Sequence, residues 1–402
     1  MLQARGARVV FVVEESFAGT LEAQGFEEAR MRLKPKPEVE EEPGQFWKDF
    51  IRETAPQFRK PTIDQLETLI LPIWQELVDG ARYVDGRLEE IFAELRPDAI
   101  VQDNVVGFPA VLASGIPWVR IMSCNPLELK DPGLPPVFSG LPTGERDGWD
   151  AFRRRYRELH ADLQQDFSSF CVDRGAPPLP EGEFVHESPF LDLYLYPAEI
   201  DYRRSQPLAG TWHRLDSCVR EAPPWEPPIG ESKLVYLSLG SLGSGDIELM
   251  RRLIGMLATT SHRVVVSMGP QHDQLELAEN MTGAEFLPQP SVLPHADVVI
   301  THGGNNTVTE CLHFGKPMIV LPLFWDQYDN AQRVDELGLG VRLAPYEVTE
   351  SQLHGALERL LADTRLPSRL EQIASRLQAN PGTVRAADLI QETASGTRTS
   401  ST

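Results

Sequence analysis

Short apolar runs alternate along this chain with longer stretches whose apolar positions recur every three or four residues. The continuous runs fit strands buried on both faces, and the periodic stretches fit amphipathic helices packed over them. In the first half, residues 8–13 (RVVFVV) predict a buried strand, followed by a helix capped by Ser16 and ending at Gly25. The periodicity then predicts a long amphipathic helix over 62–95, broken near Pro72. A strand at 98–101, a helix at 106–113 and a strand at 118–122 follow. In the second half, strands are expected at 234–239, 264–267, 298–301 and 318–323. Leu249, Met250, Leu253, Ile254 and Leu257 share one helical face, and further helices are expected at 349–361, 365–377 and 383–392. Two halves that each alternate strand and helix predict parallel α/β sheets.

Proline and charge punctuate this pattern. Residues 38–44 (EVEEEPG) read as an acidic, mobile loop, and 129–150 as a long Pro- and Gly-rich loop near the mouth of a cleft. Residues 220–232 (REAPPWEPPIGES) hold four prolines and four charges, too many for a core element, so the domain linker is placed there. The expected division is a domain over 1–219, the linker over 220–232, a second domain over 233–382, a last helix over 383–394 and a disordered tail over 395–402. The halves are alike in architecture and not in sequence.

At about 150 residues per domain, 402 residues suit two or three domains, and 41% hydrophobic residues supply two sizeable cores. Acids outnumber bases 59 to 38, a net charge of −21, which repels phosphate backbones and anionic lipid heads. Nucleic acid and membrane surfaces are therefore not expected partners. Cys124, Cys171, Cys218 and Cys311 lie far apart without a CxxC pair, which argues against a disulfide framework or zinc knuckle and fits a reducing cytoplasm. No signal peptide opens the chain, and no apolar run approaches the roughly twenty residues that span a bilayer.

Candidate chemistry concentrates between Phe286 and Gln327. His302-Gly303-Gly304 ends the strand at 298–301, and Asn306 and Thr307 open a helix that Gly315 closes. Glycines let a backbone approach a bulky anion, and the helix start offers unpaired N–H groups and partial positive charge, although a plain tight turn has the same pattern. Glu310 falls one helical turn after Asn306, where a carboxylate can accept from both ribose hydroxyls; an ordinary surface acid is the alternative. Asp326-Gln327 follows the strand at 318–323, on the edge where open α/β sheets bind ligands, and suits adjacent sugar hydroxyls; a helix N-cap is the other role for Asp326.

Taken together, Phe286, Pro288-Gln289, His295, Thr301-His302-Gly303-Gly304, Asn306-Thr307, Glu310, Gly315, Pro317, Pro322 and Asp326-Gln327 resemble the signature of family 1 glycosyltransferases, the UDP-dependent enzymes of the GT-B fold. The resemblance implies two Rossmann-like α/β domains with parallel sheets facing a central cleft, acceptor-binding first and donor-binding second, with the last helix returning to the first domain. It implies that Phe286 stacks on the base and Gln289 touches its edge. His302, Asn306 and Thr307 match diphosphate contacts, Ser241 a serine near the diphosphate, Gly304 a donor-binding position, Glu310 the ribose contact, Asp326 and Gln327 the sugar contacts, and Trp325 the sugar-pocket wall. Phe286 stands where plant members have tryptophan, which weakens stacking or its selectivity for uracil. Residues 99–103 (AIVQD) look like the family strand ending in the aspartate that orients a catalytic histidine, so Asp103 takes that role. No Asp-x-Asp pair occurs, so metal-independent transfer without a cofactor is expected, the nucleotide sugar being a co-substrate.

The family begins with a strand and a histidine loop ahead of the helix in which Met1 aligns. Those two elements are expected to be missing, through a mis-set start or in a short binding protein, leaving an opening in the first sheet. None of the nine histidines substitutes obviously: His160 and His186 lack the loop context and His302 belongs to the donor side. The expected activity is inverting transfer of a hexose, glucose-like on the strength of Gln327, from a UDP- or TDP-sugar to a hydroxyl of a lipophilic small molecule. The alternative is a non-catalytic nucleotide-sugar-binding partner or sensor.

Overall fold

The computed structural model describes residues 1–36 and 54–396. The acidic loop expected at 38–44 and most of the expected tail lie outside the described residues. Two α/β units make up the chain. The carboxy-terminal unit holds β7 (Leu234–Ser238), β8 (Arg263–Ser267), β9 (Met281–Ala284), β10 (Val298–Thr301), β11 (Met318–Val320) and β12 (Gly340–Arg342). They pair in parallel in the order β12-β11-β10-β7-β8-β9. Every residue of β7 and β10 is buried, which explains their unbroken apolar runs. The order reverses between β7 and β10, and the crevice beyond their carboxyl ends is the ligand position of doubly wound sheets.

The amino-terminal unit carries β1 (Val10–Glu14) paired with β2 (Glu27–Met31), and separately β3 (Ile100–Asp103), β4 (Trp118–Met122), β5 (Leu191–Tyr194) and β6 (Trp212–Arg214) in that order, again parallel. Among the described residues β1 pairs only with β2, and β3 only with β4. Phe11 and Val101 on these strands are 38% and 43% exposed, unusual for apolar residues at the middle of an α/β unit. Among the described residues the strands of this unit thus form two separate sheets.

Local differences from expectation have identifiable causes. No α-helix follows β1. Two short 3-10 turns, Glu15–Phe17 and Glu22–Gln24, stand there, and Ser16 caps nothing. The Glu28 carboxylate instead collects the N–H groups of Gly19, Leu21 and Glu22 at 2.7, 2.8 and 3.1 Å, which diverts the donors a helix would use. The break near Pro72 is a π turn, Leu66–Ile70, after which α1 (Leu71–Leu95) continues. The wider turn relieves the proline's clash with the preceding carbonyls. The helix at 106–113 starts only at Pro109, because the Asn104 side chain turns the chain by accepting from Val106 N–H at 3.1 Å. The strand at 318–323 ends at Val320; Leu323 and Phe324 N–H donate to Gln327 Oε1 at 3.0 and 3.2 Å.

The remaining helices used below are α2 (Trp149–Asp173), α3 (Ile247–Ala258), α4 (Asn305–His313), α5 (Gln327–Glu336), α6 (Glu350–Ala362), α7 (Leu366–Ala379) and α8 (Gly382–Ala394). α3 buries the five residues expected to share a face. Two devices join the units. Along α5, Asp329 accepts from Phe138 and Gly140 N–H at 2.6 and 2.8 Å, Glu336 from Thr143 N–H at 3.1 Å, and Arg333 donates to the Ile200 and Asp201 carbonyls at 2.6 and 2.7 Å. The long loop at 129–150 thus lines the seam. α8 crosses back onto β4 and β5, where Ile390 packs with Val119, Leu191 and Leu193. Arg376 of α7 grips Glu199 and Asp216. Among the described residues no helix is long and apolar enough to cross a membrane.

The return of α8 leaves no space at its start: a Cβ on Gly382 would lie 2.2 Å from the Leu215 carbonyl and 2.5 Å from that of Ser217. Gly382→Ala is expected to cost about 1–3 kcal/mol by overpacking. Gly355→Ala in α6, where nothing lies within 4 Å, is expected to stabilise by roughly 0.5–1 kcal/mol. Urea unfolding of the two variants measures both; equal and small effects would contradict the docking of α8.

Candidate functional site

At the switch point the loops after β7 and β10 interlock. Gly240 follows β7 with φ +71°, and a Cβ there would come 2.7 Å from His302 Cε1; one on Gly304 would come 2.6 Å from His302 Nε2. Only glycine on both sides admits the imidazole. Burial pushes His302 down to about 4, so it is neutral near pH 7 and acts through hydrogen bonds, with the Ser238 backbone as one partner. Gly304 is the N-cap of α4 and supplies no side chain, so the first-turn N–H groups keep their partial positive charge for an outside anion.

On one flank of this loop, Gln289 Nε2 donates to Glu310 Oε2 at 2.6 Å and to Thr307 Oγ1 at 3.2 Å, while Tyr236 OH donates to Gln289 Oε1 at 3.3 Å. Glu310 is buried, and burial raises its pKa against the opposing hydrogen bond from Gln289. Two residues expected at base and ribose therefore hold each other, poised to exchange that bond for a ligand's hydroxyls. Ser241 and Asn306 are exposed beside them, and Phe286 is 61% exposed, its ring free to stack.

Trp325, Asp326 and Gln327 face the seam. Asp326 is 6% exposed; its Oδ2 accepts from Asn125 N–H at 2.8 Å and from Asn330 Nδ2 at 3.4 Å. Burial raises it to about 6 despite both bonds. It makes no capping bond to α5. The Gln327 side-chain carbonyl is engaged by the loop before it, as described, which leaves its NH₂ as the group available to a ligand. Trp325 sits at φ +58° with its ring centroid 4.5 Å from Phe138 and 5.4 Å from Trp74. Asn330 ties this group to the loop after β10 by donating to the Gly303 carbonyl at 3.0 Å.

Sequence reasoning missed Asn330 and its partners. Asn125 Nδ2 donates to Asn330 Oδ1 at 2.8 Å and lies within 3.2 Å of the Tyr196 and Tyr202 hydroxyls, while Asn305 Nδ2 donates to the Ser123 and Leu195 carbonyls. Asn330, one helical turn beyond Asp326, was open to periodicity; Asn125 carried no local signal.

Asp103 ends β3 and its Oδ1 accepts from Ser123 Oγ at 2.9 Å, with burial raising its pKa. Among the described residues no histidine hydrogen-bonds to it. Cys124, next along, is pushed up first by burial and then by the carboxyls of Asp326, Glu128 and Asp103. The carboxyl ends of β3, β4 and β11 therefore bring three acids around one half-buried thiol. Glu128, not singled out in the sequence, is driven by burial to about 8.

Comparison with known proteins shows similarity to glycosyltransferases. Residues 214–375 fit the model of the UDP-glucoronosyl and UDP-glucosyl transferase family. The NDP-glycosyltransferase YjiC of Bacillus subtilis (strain 168) is 26% identical over 316 residues, 76% of this chain and 75% of that protein. The demethyllactenocin mycarosyltransferase of Streptomyces fradiae is 25% identical over 329 residues, 80% of this chain and 69% of that protein. The crystal structure of the glycotransferase of kitacinnamycin superposes with a TM-score of 0.67 at 24% identity, covering 98% of this chain and 93% of that one, and so shares the fold.

A carboxyl raised from 3.8 to about 6 in the folded state favours the proton there, so its contribution to stability is present at low pH and lost as pH rises from about 4 through 6. Asp326→Asn removes that loss. Between pH 4 and 8, urea unfolding should show wild type losing roughly 2–3 kcal/mol relative to the variant; parallel pH profiles would contradict the burial of this carboxyl.

Proposed function

We propose that this chain is a family 1 glycosyltransferase of the GT-B fold and that it moves a hexose from a UDP- or TDP-sugar to a hydroxyl of a lipophilic small molecule, with inversion at the anomeric carbon. The observation that carries the reading is the glycine-bounded, neutral His302 in front of the uncapped start of α4, with the Gln289–Glu310 pair beside it.

In this reading the diphosphate oxygens accept from the first-turn N–H groups and His302, with Ser241 at hand from the β7 loop. Glu310 leaves Gln289 to accept from the ribose, and Phe286 covers the base. Asp326 and Gln327 take sugar hydroxyls, Asp326 through Oδ1, since Oδ2 is held by Asn125 N–H. When the acceptor oxygen bonds to the anomeric carbon, the bond to the diphosphate breaks and the hydroxyl proton passes to water. The charge left on the diphosphate meets donors already oriented by the fold, and this is the role proposed for the helix start in place of a cation.

A second reading, a nucleotide-sugar binder without efficient turnover, draws on the Asp103–Ser123 pair standing where the family pairs an aspartate with a catalytic histidine. Titration calorimetry with UDP and TDP tests the shared donor site. Glu310→Ala should weaken nucleotide binding by about 10- to 100-fold, the loss of one hydrogen-bonding charged group; unchanged affinity would remove the site. UDP release over a panel of hydroxylated acceptors separates the readings, because a binder releases nothing above background.

A further inference from the structure

The outer edge of the amino-terminal sheet carries an open cavity of about 530 Å³, a volume within the range of small-molecule sites. Tyr194 at the end of β5, Trp212 and Arg214 of β6, the loop at 201–208 and Arg385 of α8 line it. No residue between Phe286 and Gln327 belongs to this wall. β6 also stands three strands from β3, whose last residue is Asp103, or about 14 Å across the sheet.

Charge on this wall runs against that of the chain. Three guanidinium groups, those of Arg204, Arg214 and Arg385, line the cavity with one carboxylate, Asp201, in a protein of net charge −21. Asp201 is already engaged. Its Oδ2 accepts from Tyr194 OH at 2.8 Å and from Arg214 Nη1 at 3.5 Å, and its Oδ1 from Tyr202 N–H at 2.8 Å. Arg214 Nε donates to Asp216 Oδ1 at 3.0 Å, so this arginine is paired. Arg204 donates to the Leu129 and Pro126 carbonyls, each at 2.6 Å. Carbonyls orient a guanidinium without neutralising it, and Asp131 acts on its charge only at longer range. Arg385 is exposed, and among the described residues its side chain has no hydrogen-bond or ion-pair partner. Two guanidinium groups at one cavity thus lack a carboxylate in contact.

Aromatic surface lies beside these charges. Tyr194 and Trp212 meet edge to face at 6.2 Å, and Arg120 lies over the Trp212 ring at 5.3 Å. Trp212 is 7% exposed, and its indole N–H is buried without an acceptor, a state that few polar groups of folded chains keep. The wall is short of acceptors as well as of negative charge. A flat ring bearing a carboxylate supplies both, since a guanidinium fork and a carboxylate match in two parallel bonds. An inorganic anion would meet the charge and leave the rings unused.

We propose that this cavity binds a small aromatic carboxylate, its carboxylate held by Arg385 and Arg204 and its ring against Tyr194 and Trp212. The proposal goes beyond the glycosyltransferase reading and does not depend on it. Because Arg385 belongs to α8 and the other walls to the amino-terminal unit, a bound ligand also fastens the returning helix and raises the melting temperature by mass action.

Calorimetry on the full chain tests this with 1-naphthoate and with 1-naphthalenemethanol, the same rings without the charge. Wild type should bind naphthoate about tenfold tighter than the alcohol, and UDP should not compete with it. Arg385→Gln should weaken naphthoate about fivefold and leave the alcohol's affinity unchanged. Arg359→Gln, which removes an equal exposed charge from α6, should change neither. The melting temperature of each variant without ligand reports that it is folded. Equal affinity for naphthoate and alcohol, or for naphthoate in wild type and Arg385→Gln, overturns the proposal. So does an equal loss in Arg359→Gln, displacement of naphthoate by UDP or by inorganic phosphate at the same concentration, or a wild type that binds neither probe.

Discussion

The hydrogen bond from Asn125 N–H to Asp326 Oδ2 is the contact on which the arrangement of the two units turns. It joins the carboxyl end of β4 to the start of α5 across the seam, at 2.8 Å, in a place sealed from water. Its burial holds the Asp326 carboxyl near 6 and leaves Oδ1 as the free oxygen. The Asn125 side chain binds Asn330, which in turn holds the Gly303 carbonyl of the loop after β10. One short network thus links the amino-terminal unit to the proposed sugar and diphosphate positions, so movement at the seam is felt at all three.

Steric exclusion builds the donor side as much as attraction does. Gly240 and Gly304 exist as glycines because His302 occupies the space their Cβ atoms would need. The imidazole is then too buried to ionise near neutral pH, so it offers a hydrogen bond without bringing a charge. Across the seam the rings of Trp74, Phe138, Phe184 and Trp325 pack against one another, with His160 Nε2 and Glu128 Oε1 left without donors.

Much of this was readable along the chain. The runs at Trp118–Met122 and Val298–Thr301, and the Leu249–Leu257 face, appear in the structure as expected, because burial on both faces or along one stripe leaves a direct hydrophobic signature. The glycine turn and its carboxylates were legible because their spacing along one strand–helix–strand unit is local. What was not legible depends on partners far apart in sequence. The Glu28 carboxylate unmakes the helix expected after β1. Gln327 folds its carbonyl back onto its own loop. Asn125 and Glu128 gain meaning only once residues some two hundred positions away close over them, as Asp326 does at a sequence separation of 201.

The most direct test of the donor site is a crystal structure of this chain grown with UDP-glucose. The diphosphate is expected within hydrogen-bond distance of the His302 ring and the N–H groups at residues 305–307, with a ribose hydroxyl on Glu310 in place of Gln289 and a sugar hydroxyl on Asp326. Density for the nucleotide anywhere else, or a saturated crystal in which the Gln289–Glu310 bond persists beside an empty His302 loop, would contradict it.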